Sequence, residues 1–475
     1  MSDYQSLNHL EQVLADFLVV EFFNHCPDGV VKVALSGGVD SKALLFACAQ
    51  LRDRGYIQKI QALHVDHGLQ KDSISWLEKC VQDCNELDVE IKTICLNLGR
   101  DISSNIEAVA REKRYQFFET ELEENECLLF AHHQNDQAET LMFRLLRGCG
   151  LSGAGAMPIK RRLGLGRLFR PWLNESRAAI EEYASERKLC FISDPSNFST
   201  CYSRNYLRHQ VMPRLEERWP SYARSFSRFT QLAREQAELL AELAKSDIEK
   251  LVIPPKNREP QAYSLSAKAL TSGVIAIGPM LELKQNRVKN LLHYWGSEVS
   301  ATPPTSNEIQ ELMVQLSAAT TSSICVSFAG GKARSFDSRL YWTPKELPNQ
   351  SFKDVLWNNL KETVELDNGV TLSANQKKAR DSSDVLLKLD VMERKVWLTA
   401  RKGGEKVVPH YRKHSNSLKK IYQELAVPPW EREYYPLIYV DDELAAVPGI
   451  FVSQKFLAKP GEEGIALHLG IASNV

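Results

Sequence analysis

Four apolar runs, separated by charged stretches of helical length, constrain this chain more than any other feature. They are VVKVAL at 30–35, IQALHV at 60–65, VEIKTICL at 89–96 and CLLFA at 127–131. Between them the periodicity predicts helices near 41–54, 72–87 and 105–124. Strands that alternate with helices form βαβ units and a parallel sheet with helices on its faces. In such a sheet ligands bind outside the carboxyl ends of the strands. The residues just after 35, 65 and 131 are therefore the first candidates for chemistry.

Beyond that region the pattern changes. GCGLSGAGAMP after Arg147 is a small-residue loop, 176–250 is mostly helical, and PPKNREP at 254–260 marks a linker or domain edge. At 475 residues, two or three domains are expected. The expected fold is α/β: an N-terminal doubly wound parallel-sheet domain over 1–220, then a mostly helical or mixed middle domain over 221–345. A linker region over 346–392, with DNGV as a hairpin turn, leads to a small β-rich C-terminal domain over 393–475. No internal repeat is evident.

The formal net charge of −1 excludes a uniformly basic nucleic-acid coat but leaves room for local basic patches. VLADFLVVEFF at 13–23 is too short to span a bilayer and is interrupted by Asp16 and Glu21. It predicts an amphipathic helix with no export signal, hence a cytoplasmic protein without a membrane partner. The ten cysteines lack a CxxC and fit reduced thiols better than a zinc site.

The first run leads into Ser36-Gly37-Gly38-Val39-Asp40-Ser41. Adjacent glycines let the main chain turn sharply and approach a ligand closely. The following helix aims unpaired N–H groups and its positive end into the turn, and Ser36 and Ser41 add hydroxyls. An isolated SGG is no more than a tight turn with a capping residue. Between strand and helix, the six residues read as a pyrophosphate cradle for ATP. Asp40 would repel phosphate, so its sensible role is to hold a Mg²⁺ that bridges the phosphates. No Walker lysine, which serves γ-phosphoryl transfer, is present. Such a turn suits cleavage between the α and β phosphates.

LHVDHGLQ at 63–70 closes the second run. His64, Asp66 and His67 offer no tetrahedral metal set and read as lining of the nucleotide pocket, with His64 on ATP. AHHQNDQAET at 131–140 closes the fourth. Asp136 and Glu139 share one helical face near its positive end, preceded by His132 and His133. Two carboxylates there suit a cationic amine or a metal; a capped helix start explains them equally well when taken alone.

SGGVDS resembles the PP-loop of the N-type ATP pyrophosphatases, which activate a carbonyl oxygen by adenylation. With HVDHGL, EAVAREKRY at 107–115 and HHQNDQAET in that order, the chain resembles the tRNA(Ile)-lysidine synthase family. RGCGLSGAGAMP, RPWLNESRAAIEEYA, DPSNFSTCYSRNYLRHQVMPRL and the region after Arg401 extend the resemblance over most of the chain, most weakly from about 235 to 390. It implies ATP and Mg²⁺ as cofactors, with free L-lysine and an isoleucine tRNA bearing a CAU anticodon as partners. The wobble cytidine would be adenylated at its C2 oxygen, and the lysine ε-amine would then displace AMP. Charging identity would change from methionine to isoleucine. The catalytic candidates are Asp40, Asp136, Glu139, His132 and Arg114, with Arg111 an alternative to Arg114. Asn135 stands where many members carry Asp, which places the load on Asp136. The family suggests a monomer or homodimer.

From Thr140 to Asn174 there are seven Lys or Arg residues and no acid; from 401 to 420 there are seven against Glu405 alone. Two such runs in a nearly neutral chain point to phosphate contacts. The tRNA candidates are Lys160, Arg161, Arg162, Arg204, Asn205, Arg208, Arg401, Lys402, Arg412 and Lys413. Trp172, Tyr411, Tyr422 and Trp430 lie in or near these runs, where stacking on bases competes with core packing. The rivals are a tRNA thiolase, for which Cys149 is the one cysteine of note, and an RNA-binding protein that has lost catalysis.

Overall fold

The computed structural model describes residues 7–66, 73–96, 106–192, 200, 203–251, 274–299, 302–318, 324–343, 352–381 and 384–471. Their contacts fall into two units, Met1–Glu238 and Leu239–Val475. His67, the 254–260 linker and 194–199 of the DPSNFST pattern lie outside the described residues.

The first unit opens with α1 (His9–Leu18), β1 (Val30–Ala34), α2 (Val39–Asp53), β2 (Ile60–Asp66) and α3 (Ser73–Glu86). Then come β3 (Glu90–Cys95), α4 (Ile106–Thr120), β4 (Glu126–Leu129), α5 (Gln134–Leu146) and α6 (Leu151–Ala154). A hairpin of β5 (Lys160–Leu163) and β6 (Gly166–Phe169) precedes α7 (Arg177–Glu186), α8 (Ser203–Tyr206), α9 (Met212–Arg218) and the first part of the long α10 (Tyr222–Leu251). The strands form one sheet in the order β3-β2-β1-β4-β6-β5, in which only β5 runs antiparallel to its neighbour. The chain winds outward from β1 in both directions. A topological switch therefore lies between β1 and β4, where a ligand crevice forms.

Period-two alternation fills both faces of the sheet. Cys127, Leu129 and Phe169 join Val31, Val33 and residues of α1, α2 and α7 in one core; Leu128, Phe130 and Leu168 join Phe118 of α4 in another. The predicted amphipathic helix at 13–23 is present, but α1 passes into a π-helical turn at Val19–Phe23. The buried carboxylate of Glu11 fastens α1 by accepting from Tyr183 Oη (2.8 Å) and Arg187 Nη2 (3.1 Å).

In the second unit, helices Gln285–Val299 and Ser306–Ala318 share a core with a four-stranded antiparallel sheet through Trp295, Leu312 and Trp342. A β-rich region follows, with antiparallel sheets around Trp357, Leu372, Leu398, Tyr435 and Phe451. The expected linker at 346–392 is corrected here. Val370–Lys378 pairs along its whole length with Glu463–Ile471, and Trp357, Leu366, Leu387 and Val391 lie in the same core as Leu398 and Phe451. The scarcity of consecutive apolar residues in Val370–Lys378 hid this in the sequence. DNGV does form the turn, with Gly369 at φ 76° between paired strands. Among the described residues no helix is long and apolar enough to cross a membrane, and the described cysteines are free thiols.

Candidate active site

Between β1 and α2 the chain crosses Leu35–Gly38, with Gly38 as N-cap. Gly37 has φ 84°, and a Cβ there would lie 2.8 Å from Ile192 Cδ1, so the position requires glycine. Its carbonyl accepts from Ile192 N at 3.0 Å, which fixes the floor of the turn. Ser36 N donates to Ser41 Oγ (3.1 Å), the two serine hydroxyls are 3.0 Å apart, and Ser41 Oγ donates to Gly38 O (3.0 Å). A Cβ on Gly38 would meet only Ser36 Oγ, at 3.6 Å, so that side of the turn is open. The result is a pre-formed cradle at a helix N-terminus, suited to an anion.

A lysine does follow the motif, yet it is turned away. The Lys42 amine is buried against the Asp83 carboxylate and the Cys190 carbonyl, so it is committed to holding α2, α3 and the chain after α7 together. His64 of β2 donates from Nδ1 to Leu35 O (2.8 Å) and buttresses the cradle. Burial lowers its pKa despite the Leu35 carbonyl and Asp66, so it is neutral.

α5 faces the cradle. Its N-cap, His133, is buried; its backbone N donates to Asp136 Oδ2 (3.2 Å), and Nε2 lies 3.8 Å from Asp40 Oδ1 and 3.5 Å from Asp136 Oδ2. Burial opposes protonation of His133, but Asp136 and Asp40 outweigh it and raise its pKa. The imidazole thus ties the loop aspartate to the helix aspartate.

Asp136 and Glu139 are themselves buried and bracketed by two arginines. Arg204 of α8 reaches Asp136 Oδ1 (3.2 Å) and Glu139 Oε2 (3.1 Å). Arg208, in the π-helical turn Leu207–Val211, reaches Asp136 Oδ1 (3.0 Å), Glu139 Oε1 (2.6 Å) and Glu139 Oε2 (2.8 Å). Burial alone would raise the Asp136 pKa; His133, His132, Arg204 and Arg208 hold it well below the usual carboxylate range. Arg204 and Arg208, expected on the tRNA side, are thus placed on Asp136 and Glu139. Asn205 lies between them on α8. Asn135 is directed elsewhere, accepting from Arg177 N (3.4 Å) and donating to Tyr222 Oη (3.4 Å).

His132 has an unexpected partner. Arg170 Nε donates to its Nδ1 at 3.3 Å. Arginine has no lone pair to offer, so the imidazole carries its proton on Nε2. Burial, with Arg170, Arg204 and Arg114 against Asp136, pushes its pKa down to about 3. His132 is a donor at neutral pH and not a base. Sequence reasoning named His133 without giving it a role and did not single out Arg170; only the helix start separates the two histidines.

Arg170 also interacts electrostatically with Tyr115, over whose ring lie Arg111 (5.1 Å), Arg114 (5.9 Å) and Arg161 (4.9 Å). The "AREKRY" arginines and one member of the β5 cluster therefore meet in a single cationic patch. Of its β5 neighbours, Lys160 pairs with Glu21 (2.7 Å), and Arg162 is exposed. Cys149 packs against a small apolar cluster containing Leu141 and Ala154.

In the second unit much of the 401–420 charge is paired. Arg401 lies 3.8 Å from Glu405, Lys402 donates to Asp354 (2.9 Å), and Arg412 pairs with Glu424 (3.0 Å); Lys413 is exposed. Trp172 and Tyr422 are core residues.

Asp40 Oδ1 is buried and makes no full hydrogen bond, with His133 Nε2 at 3.8 Å, which leaves it able to take an arriving cation. Among the described residues no cluster of three or more His, Cys, Asp or Glu side chains forms a metal site.

The profile of the PP-loop domain matches residues 10–215, that of the TilS substrate binding domain 276–341, and that of the TilS substrate C-terminal domain 396–469. A tRNA(Ile)-lysidine synthase from Coxiella burnetii (strain RSA 493 / Nine Mile phase I) is 34% identical over 91% of this chain and 91% of its own length. Another, from Nitrosomonas europaea (strain ATCC 19718 / CIP 103999 / KCTC 2705 / NBRC 14298), is 32% identical over 93% and 92%. Among solved structures, the U34-tRNA thiolase NcsA from Methanococcus maripaludis aligns with a TM-score of 0.40 and 18% identity over 47% of this chain and 78% of its own. The ATP-binding loop, the parallel sheet that carries it and identity along nine-tenths of the sequence lead to one conclusion: the chain belongs to the tRNA(Ile)-lysidine synthase family.

Proposed function

We propose that this enzyme ligates free L-lysine to C2 of the wobble cytidine of an isoleucine tRNA with a CAU anticodon, through an adenylated cytidine. The observation that carries the proposal is the juxtaposition of the SGGVDS cradle with the Asp136–Glu139 pair through His133. One part suits ATP cleaved at its α-phosphate; the other is an anionic seat for an ammonium group.

In the first step the C2 oxygen of the base attacks the α-phosphorus and pyrophosphate leaves into the cradle of Ser36, Gly37, Gly38 and Ser41. Asp40 would hold Mg²⁺, which when bound neutralises charge on the phosphates. Arg111 and Arg114 lie in the cationic patch that would face the adenylated base. In the second step a neutral lysine amine attacks C2, AMP departs, and the nitrogen sheds a proton. Asp136, held ionised, is a weak base. Proton acceptance is assigned to its neighbour Glu139, with Asp136 orienting the ammonium group beforehand. Arg204 and Arg208 cover both carboxylates, so lysine entry requires at least one guanidinium to yield. The reaction is placed in the cytoplasm, where ATP, lysine and tRNA coexist.

The test is incorporation of labelled lysine into isoleucine tRNA with CAU, with methionine tRNA alongside. Label in the isoleucine tRNA alone supports the proposal. RNA-dependent AMP release without lysine transfer would reject the ligase step, and label in both tRNAs would reject the specificity.

A further inference from the structure

Of the four aromatic residues in or beside the basic runs, Trp172 and Tyr422 are buried and Trp430 packs against Phe336, Tyr341 and Arg334. Tyr411 alone of the four is 42% exposed. It lies between the paired strands Lys406–Val407 and Asn416–Ser417.

The backbone around it is pinned. Pro409 bridges to Ser453, His410 N donates to Val452 O (2.8 Å), Gln454 N donates to Val408 O (2.9 Å), and Arg412 N donates to Pro409 O (2.9 Å). His410 packs edge-on against the Tyr411 ring, with centroids 5.2 Å apart. A ring carried on a backbone already fixed sacrifices less entropy when a planar ligand covers it. Burial and Glu424, against Arg412, push the phenol up to about 12, so the ring is uncharged at neutral pH.

Its electrostatic setting is predominantly basic, with the nearby Glu424 paired to Arg412. From Lys406 to Gln423 the chain carries Lys406, Arg412, Lys413, Lys419 and Lys420 and no acid. Lys406, Lys413, Lys419 and Lys420 are exposed, while Arg412 is engaged with Glu424. Exposed lysines supply sequence-independent attraction to a phosphate backbone. An outward aromatic ring among them supplies a π-face for an unstacked base.

We propose that Tyr411 is a stacking platform for an unpaired base of the tRNA, with Lys413 and Lys406 contacting the adjoining phosphates. The proposal rests on the tRNA reading above and adds a contact in the second unit. It distinguishes Tyr411 from its buried aromatic neighbours, which serve the core.

Affinity for the CAU isoleucine tRNA would be measured over a salt series with the full chain and its Tyr411→Ala, Tyr411→Phe and Lys413→Ala variants. Loss of stacking in Tyr411→Ala should raise Kd roughly five- to a hundredfold without changing the salt slope. Tyr411→Phe should bind as the unsubstituted chain does. Lys413→Ala should reduce the slope by about one. Unchanged affinity in Tyr411→Ala would overturn the proposal, as would an equal loss in Tyr411→Phe, which would assign the effect to the hydroxyl. Absence of tRNA binding by the unsubstituted chain would instead remove the underlying tRNA reading, and this contact with it.

Discussion

His132 and His133 are adjacent in sequence and opposite in chemistry. His133 has two carboxylates within 4 Å and a raised pKa; His132 has an arginine on Nδ1 and a pKa near 3. Because the His133 pKa is raised above 6.5, its stabilising contribution is full below that value and is lost as pH rises through the folded-state pKa. Imidazole NMR should show His133 titrating above 6.5 and shifting downward in Asp136→Asn, with His132 silent from pH 8 to 5. A His132 signal that titrates near 6.5 would contradict its assignment as a neutral donor. Gly37→Ala forces a side chain into a left-handed backbone and against Ile192. It should cost about 1–3 kcal/mol of stability and weaken ATP binding, both readable by thermal melts with and without nucleotide.

At the scale of elements, the two faces of the carboxylate cluster come from α5 and from the α8–π-turn segment, more than sixty residues apart in the chain. The sequence displayed both halves as spacings: Asp136 and Glu139 at i, i+3, and Arg204 and Arg208 at i, i+4. It did not display that they meet, because a pairing across that separation leaves no periodic trace. Phosphate contact was thus the natural expectation for the arginines. Arg208→Met leaves Glu139 buried without its strongest partner and should lower stability by about 3 kcal/mol; calorimetry that finds no loss would mean the cluster is solvated. The strand-helix alternation and the cradle were legible because period and glycine geometry are local. Val370–Lys378 was not, since its strand character comes from pairing with Glu463–Ile471 at the other end of the region. A fragment of 393–475 should therefore be unfolded by circular dichroism, whereas 352–471 should melt cooperatively. Cooperative melting of the shorter fragment would restore 346–392 as a linker.

For the whole molecule, the cradle and the carboxylate cluster lie in the first unit, while the second holds two matched substrate-domain regions and the exposed Tyr411 loop. In the proposed reaction the cradle and Asp40 would serve adenylation, and Asp136 with Glu139 would serve lysine. The most direct test is to follow α-labelled ATP and labelled lysine together in Glu139→Gln, a substitution that retains size and one hydrogen-bonding oxygen. The account predicts that pyrophosphate is still released and labelled AMP accumulates on the tRNA, with lysine transfer reduced at least a hundredfold (about 2.7 kcal/mol). Equal loss of both steps, or lysine transfer at the unsubstituted rate, would contradict it.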